Sequence, residues 1–245
     1  MRTFTLLLLA MLTALGASAA TEEFDYELTV GSFNRLKVVN NINVVYVQSA
    51  DSAGIARFRA PKVMSDYFLA TNKDGQLKLE TMPYETPVKP LPTLYVYSEF
   101  LEEVENDGDS TVNVIDISPC STFKTTVVGN GRITVDSIRS INVEASIKTG
   151  NGTIVLNGQC NNAKFNMVGT GLIQADNLRS DYVGCRILGG GSIGCWPRFE
   201  LKVRGIGSTK IYYRGKPDIN KKGGGKLLPL ESYDDNNDYI EERQQ

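Results

Sequence analysis

From Phe123 to Tyr213 the chain alternates apolar and polar residues, and two glycines flanking one residue interrupt it about every twenty positions. The glycine pairs are Gly129/Gly131, Gly150/Gly152, Gly169/Gly171, Gly189/Gly191 and Gly205/Gly207, with Gly108 one step earlier and Ser110 in place of its second member. First members are spaced 21, 21, 19, 20 and 16 residues apart. Aligned on them, the fourth residue on is Ile133, Ile154, Ile173, Ile193 and then Thr209. The sixth is Val135, Leu156, Ala175, Cys195 and Ile211. Alternation marks strands with one buried face. Such a strand cannot bury that face alone, so successive repeats must stack. Stacked at about 4.8 Å, the four isoleucines become an internal ladder. The glycines fall at corners, where a positive φ or a close backbone approach excludes a Cβ. Corners in register make one glycine stack along an edge.

The pattern predicts an all-β chain: a right-handed parallel β-solenoid with two or three short strands per coil. The competing architecture is a sandwich with evenly spaced turns. In the Gly150 coil the apolar residues Val143, Ala145 and Ile147 run one position early, which predicts a bulge near Thr149. One domain is expected over 21–230, with glycine-pair repeats over 106–217. Residues 21–105 lack the pairs but still alternate, as in "FNRLKVV", "INVVYVQ" and "TLYVYS". They are read as irregular first coils, or as a sheet continuous with the repeats. Residues 81–93, with four prolines, read as an exposed loop. Residues 231–245 form an acidic, mobile tail placed to shield the last coil.

The first twenty residues change the picture most. Arg2, an apolar run from Phe4 to Leu15 and the small-residue motif Ala17-Ser18-Ala19 make a signal peptide over 1–20. No cysteine follows the run, which argues against a lipid anchor, and no later stretch is apolar enough to span a membrane. The expected location is the periplasm, the outer surface or the medium. A net charge of −2 argues against a nucleic-acid partner. Histidine is absent, which excludes Ser-His-Asp and Cys-His nucleophiles and imidazole-bound zinc.

Export permits disulfides among Cys120, Cys160, Cys185 and Cys195. Cys120 and Cys160 fall two coils apart, with Ile141 between, beyond bridging distance. Cys185 and Cys195 flank one corner in inward columns. A bridge there and a pair of buried free thiols are both open, the thiols being the favoured reading.

Candidate chemistry is sparse. Gly189 to Gly194 satisfies G-x-G-x-x-G, but a dinucleotide needs a helix to follow, and here Pro197 does. The acidic run Glu102, Glu103, Glu105, Asp107 and Asp109 lacks calcium-loop spacing and reads as a solvated strand end. Asp136 and Asp176 share a column with Asn157 between them, about 10 Å apart, a marginal carboxylate pair for glycoside hydrolysis. No catalytic, cofactor or metal residues are therefore assigned, and no cofactor is expected. Tyr95, Tyr97, Tyr182, Trp196, Tyr212 and Tyr213 are the candidate aromatic ligand surface.

The series "GNGRI", "GNGTI", "GTGLI" and "GIGSTKIYYRGKP", with the opening "FNRLKVVNNINVVYVQ", resembles a bacterial family known as the putative auto-transporter adhesin, head GIN domain. The resemblance runs from about Phe33 to Leu230. The unpaired Gly108 and the insertion of Trp196 and Pro197 depart from it. It implies an exported β-solenoid of Bacteroidetes-type bacteria with no catalytic residues to carry over. The expectation is a non-enzymatic, adhesin-like binding or structural protein of the cell envelope, its partner a surface glycan or a protein. The competing class is a polysaccharide lyase or hydrolase on the same scaffold.

Overall fold

The computed structural model describes residues 22–64, 66–82 and 91–230. The expected signal peptide, the acidic tail and most of the proline-rich loop lie outside the described residues. Nine short strands come first: β1 (Glu23–Thr29), β2 (Arg35–Val39), β3 (Val44–Gln48), β4 (Ile55–Pro61), β5 (Phe68–Lys73), β6 (Gln76–Thr81), β7 (Leu94–Ser98), β8 (Glu103–Asp107) and β9 (Thr111–Val114). The repeats follow as β10 (Cys120–Val128), β11 (Arg132–Thr149), β12 (Thr153–Met167), β13 (Leu172–Ile187), β14 (Ser192–Gly205), β15 (Lys210–Tyr213), β16 (Asp218–Gly223) and β17 (Lys226–Pro229). One 3₁₀ turn, Lys62–Met64, is the only helical element among the described residues.

The fold is a parallel β-solenoid. Each of β11 to β14 runs through one wall, bends across a short second one, and continues along another to the next glycine corner. Wall A stacks β6, β2, β8, β10, the C-terminal parts of β11 to β14, and β16 in parallel. Wall B stacks β7, β3, β9, the N-terminal parts of β11 to β14, β15 and β17. Between them, residues near 138–141, 158–161 and 178–181 form a short wall C.

On wall B a single column joins Leu94, Val44, Val112, Ile133, Ile154, Ile173, Ile193, Ile211 and Leu227. The four isoleucines Ile133, Ile154, Ile173 and Ile193 are direct register partners and wholly buried. Burying each is worth about 1.5–3 kcal/mol. Wall A faces it with Leu77, Leu36, Val104, Thr125, Ala145, Phe165, Cys185 and Val203 in one column.

At the corners, close approach governs. A Cβ on Gly171 would lie 2.0 Å from the Gly152 carbonyl oxygen, with no unusual φ involved. Gly150 combines both constraints: φ is +74° and a Cβ would meet the Gly129 oxygen at 2.3 Å. Gly169 stacks on Gly150 and Gly189 on Gly169 in the same way. The residue between the glycines carries a polar ladder. The Asn151 amide donates to Asn130 Oδ1 (3.1 Å), and Asn130 Nδ2 donates to Asp109 Oδ1 (3.1 Å). Val127 pairs with Ile147 but Val128 with Thr149, so Lys148 is the extra residue of a bulge.

Three features differ from the sequence expectation. The first is the N-terminal order. The β2–β3 coil does not lead the stack. It is inserted between the β6–β7 coil and the β8–β9 coil. Asn40, at φ 66°, turns its corner, and the Asn40 oxygen lies 1.9 Å from where a Gly108 Cβ would be. Antiparallel strands then close this end: β5 on β6, and β4 between β7 and β1.

The second is the last glycine pair. The stacking glycine there is Gly207, whose Cβ would meet the Gly189 oxygen at 2.2 Å, while Gly205 pairs with Ile187. Ile211, not Thr209, therefore continues the isoleucine ladder. The cause lies upstream: Ala175 pairs with Cys195 and Arg179 with Trp196, so β14 crosses in one step what β13 crosses in four. It recovers part of that at Arg198 and Phe199, leaving the coil two residues short.

The third is the column of second glycines, bounded by Gly131 and Gly191: Ser110 precedes it as the sequence indicates, but Thr209 rather than Gly207 follows it. Each of these two ends the run. Gly131 follows Ser110, whose oxygen accepts from the Arg132 amide at 2.9 Å. Its φ is not positive, and a Cβ there would lie 2.5 Å from both Asn106 Nδ2 and the Gly108 oxygen. Gly131 thus leaves room for a buried asparagine side chain, which donates to the Ser110 oxygen at 2.7 Å, as well as for backbone. Gly191 does stack on Gly171, with a Cβ site 2.3 Å from the Gly171 oxygen and φ at +95°. The residue that follows it in the column is Thr209, not Gly207, since the Lys210 amide donates to the Gly191 oxygen at 3.0 Å. The Thr209 hydroxyl closes that corner by donating to the Gly189 oxygen at 2.9 Å.

Candidate functional site

Wall C is where the coil departs most from a closed, self-satisfied surface. Along it run two neighbouring columns. One is Arg139, Gln159, Arg179 and Trp196; the other is Cys120, Ser140, Cys160, Ser180 and Pro197. Strand alternation sends Ile138 and Leu178 into the core, fully buried, and so sends Arg139 and Arg179 outward. The result is a groove of about 580 Å³ following the stacking axis. Its lining includes Arg139, Gln159, Arg179, Asn161, Asp181 and Arg198.

The Cys/Ser column forms the floor. Cys120 Sγ lies 3.1 Å from Ser140 Oγ, and Cys160 Sγ lies 3.2 Å from Ser180 Oγ. Burial pushes the Cys160 thiol up to about 11, against a lowering by the Ser180 hydrogen bond. It is a protonated floor group at neutral pH, not a nucleophile. Because of the Lys148 bulge, Ser140 rather than Ile141 stands between Cys120 and Cys160. All four cysteines are free thiols. Cys195 is raised by its hydrogen bond to Cys185 and by burial, and its Sγ donates to the Tyr212 carbonyl at 3.5 Å.

Charge in the groove is uneven. Arg198 Nη1 binds Asp181 Oδ1 at 3.0 Å, and Asn161 Nδ2 donates to Asp181 Oδ2 at 3.5 Å. Arg139, Gln159 and Arg179 make no side-chain hydrogen bond or ion pair among the described residues. Beyond Trp196 stands Arg214, over the indole ring at 5.7 Å and bound to Asp176 at 3.2 Å.

These placements revise the carboxylate pair. Between Val155 and Asn157 the facing strand advances from Gln174 to Asn177, so Asn157 pairs with Asn177 and Asp176 sits at a register break. Asp136 likewise falls in the break between Val135 and Ile138, so neither carboxylate has a register partner, and Asp176 is held by Arg214. The acidic run is likewise engaged. Glu105 binds Lys37 at 2.7 Å, Asp107 binds Lys37 at 3.6 Å, and Glu102 accepts from Asn34 at 2.9 Å. Among the described residues no group of three metal-ligating side chains converges. No helix there is long and apolar enough to cross a membrane.

A family model described as "Putative auto-transporter adhesin, head GIN domain" matches residues 32–217. The chain belongs to this family. Solved structures with a similar fold include three described as binding proteins. A "putative adhesin" from Bacteroides fragilis superposes with a TM-score of 0.76 at 21% identity, covering 86% of this chain and 98% of that one. A "putative lipid binding protein" from Parabacteroides distasonis gives 0.69 at 19%, covering 86% and 98%. A "putative adhesin" from Parabacteroides merdae gives 0.68 at 20%, covering 87% and 97%. Comparison with curated proteins finds no match.

Within this head GIN chain the six aromatic candidates are dispersed. Tyr95 and Tyr97 lie on β7 at the capped end, beside Arg57, whose guanidinium sits 5.3 Å above the Tyr97 ring. Tyr212 occupies the same outward column as Tyr95, through Val45, Asn113, Thr134, Val155, Gln174 and Gly194, at the other end of wall B. Tyr213 neighbours it on β15. Tyr182 packs near Phe199, ring centres 5.8 Å apart. Only Trp196 stands in the groove's own column. Sequence reasoning missed the arginine row because Arg139 and Arg179 lie ten residues past Gly129 and Gly169 but Gln159 only nine past Gly150, the register shifting between Val135 and Ile138 and again between Val155 and Asn157. Counting from the buried Ile138 and Leu178 finds it.

Proposed function

We propose that this chain is an exported, non-enzymatic binding module of the bacterial cell envelope, acting as an adhesin-like surface. The observation that carries it is the groove on wall C. A stiff, hydrogen-bonded scaffold presents side chains with unused hydrogen-bonding capacity, Arg139, Gln159 and Arg179, to solvent along a straight line. Membership of the adhesin family supports the reading, as do relatives named as adhesins. A glycan fits better than a lipid tail, because the solenoid interior is filled along its axis by side chains such as Phe123, Phe165 and Met167. Against the competing reading, a carbohydrate-active enzyme, stands the engagement of Asp176 by Arg214 at 3.2 Å.

The experiment is incubation of the purified protein with a panel of acidic and neutral polysaccharides, scored both for retention and for new reducing ends or unsaturated products. Retention without turnover supports the binding module. Turnover supports the enzyme, and neither retention nor turnover removes the glycan reading.

A further inference from the structure

We infer that the wall C groove is a binding site for an extended acidic polysaccharide lying along the stacking axis, with Arg139 and Arg179 each holding one carboxylate. The inference rests on the binding-module reading above and adds to it the ligand's charge, shape and orientation.

The first argument is the charge inventory. The groove carries Arg139, Arg179 and Arg198 against Asp181 alone, in a chain whose net charge is −2. Arg198 is spent on Asp181. Arg139 and Arg179 are not spent on anything described. Guanidinium forks match carboxylates two bonds at a time, and such charge-assisted pairs are the strong class of hydrogen bond.

Spacing is the second. Arg139 pairs with Gln159, and Gln159 with Arg179, so the two arginines are two rungs apart, about 9–10 Å. An extended peptide repeats side chains on one face every two residues, about 6.6 Å, which is out of step with this row. An extended pyranose chain repeats the groups on one side once per disaccharide, over about the length of two rungs. A uronate on alternate sugars therefore meets each arginine in turn.

What lies between the arginines is the third. Gln159 and Asn161 offer amide donors and acceptors at the intermediate rung, where a neutral sugar would present hydroxyls. Ile141, 55% exposed, supplies an apolar flank for a ring face. Trp196 continues the column one rung beyond Arg179.

The test uses the full mature chain and size-defined hyaluronan oligosaccharides, in which glucuronate alternates with a neutral sugar, with neutral oligosaccharides of equal length as controls, read by titration calorimetry at two salt concentrations. Expected is binding that needs at least three sugars, weakens with salt, and falls about tenfold in Arg139→Gln and again in Arg179→Gln, each losing one charge-assisted pair. Unchanged melting temperatures in both variants certify the fold. The inference is overturned if the double variant binds as well as the parent, if neutral oligomers compete equally, or if glucuronate monomer binds as tightly as the oligomers. It is also overturned if vesicles of anionic phospholipid or an aspartate-rich peptide bind and the oligomers do not. Glycan binding that persists in the double variant refutes this groove and leaves the binding-module reading standing. Failure of every acidic and neutral glycan to bind the parent removes this inference together with the glycan reading, and leaves a protein as the module's partner.

Discussion

Lys37 and Glu105 are 68 residues apart in sequence and adjacent in the sheet, in direct parallel register with Nζ 2.7 Å from Oε1. The same separation recurs between Asp109 and Asn41 and between Thr111 and Asn43, whereas contacts in the later coils separate by about twenty. The first coil is thus laid down and bypassed, and the chain returns to stack on it. Glu105 holds the Lys37 ammonium and raises its pKa, with burial opposing. The pair is part-exposed, so its net worth is modest. A double-mutant cycle with Lys37→Met and Glu105→Gln, followed by urea unfolding, is expected to give a coupling of about 1 kcal/mol that shrinks in high salt. A coupling of zero would mean that the inserted coil is not held in this register.

The corners make a sharper prediction. Gly171→Ala places a methyl 2.0 Å from a backbone oxygen, and backbone in a stacked corner has nowhere to go. Gly184→Ala, in the middle of wall A, meets nothing nearer than the Ala163 oxygen at 4.0 Å. The first substitution is expected to destabilise by about 3 kcal/mol or more and the second by less than about 1 kcal/mol. Thermal unfolding of the two variants side by side decides it. Equal effects would show that glycine content, not close approach, matters.

The isoleucine ladder is expected to respond to truncation in proportion to its neighbours. Ile154→Ala removes buried methylenes between Ile133 and Ile173 in a core with no slack, at a cost of about 2–5 kcal/mol. Ile141→Ala, on an exposed side chain of wall C, is expected to stay within about 0.5 kcal/mol. Urea midpoints with unchanged slopes are the measurement.

These particulars show what was legible in the sequence. The ladder was legible because its signal is local: an isoleucine four positions past each glycine from Gly129 to Gly189, with nothing inserted between. The far end of the glycine column was not, because Thr209 after Gly191 fills a glycine position with a hydroxyl side chain whose partner exists only in the fold. Register drifted wherever a coil gained or lost residues, as at Lys148 and at Trp196–Pro197, since alignment on one corner carries no information about the next wall. The β2–β3 insertion was invisible for a different reason. Each strand there alternates correctly, but which coil it stacks on is a long-range choice that alternation does not encode. The groove is not legible for a third reason: whether Arg139 and Arg179 find partners is a property of the folded chain alone.

The thiols supply a pH dependence whose sign is fixed by burial. Cys160 rises from its ordinary 9.0 to about 11 through desolvation, and Cys195 also rises, through its hydrogen bond to Cys185 and then through burial. A group whose folded pKa is raised stabilises the fold fully below its unfolded pKa and loses that contribution as pH climbs through the folded value. Stability from these thiols is therefore flat through neutrality and declines from about pH 9 toward about pH 11. Replacing Cys160 by Ala removes part of that decline, while the parent retains it, so urea midpoints from about pH 7 to about pH 11 for the two proteins must converge at high pH. The same burial controls access. With Cys160, Cys185 and Cys195 buried and Cys120 half-buried, a thiol-specific reagent at about pH 8 is expected to label one cysteine quickly in the native protein and four in urea. Rapid native labelling of two or more, or parallel midpoint curves for parent and variant across that pH range, would place Cys160 in contact with solvent and take the floor out of the wall C groove.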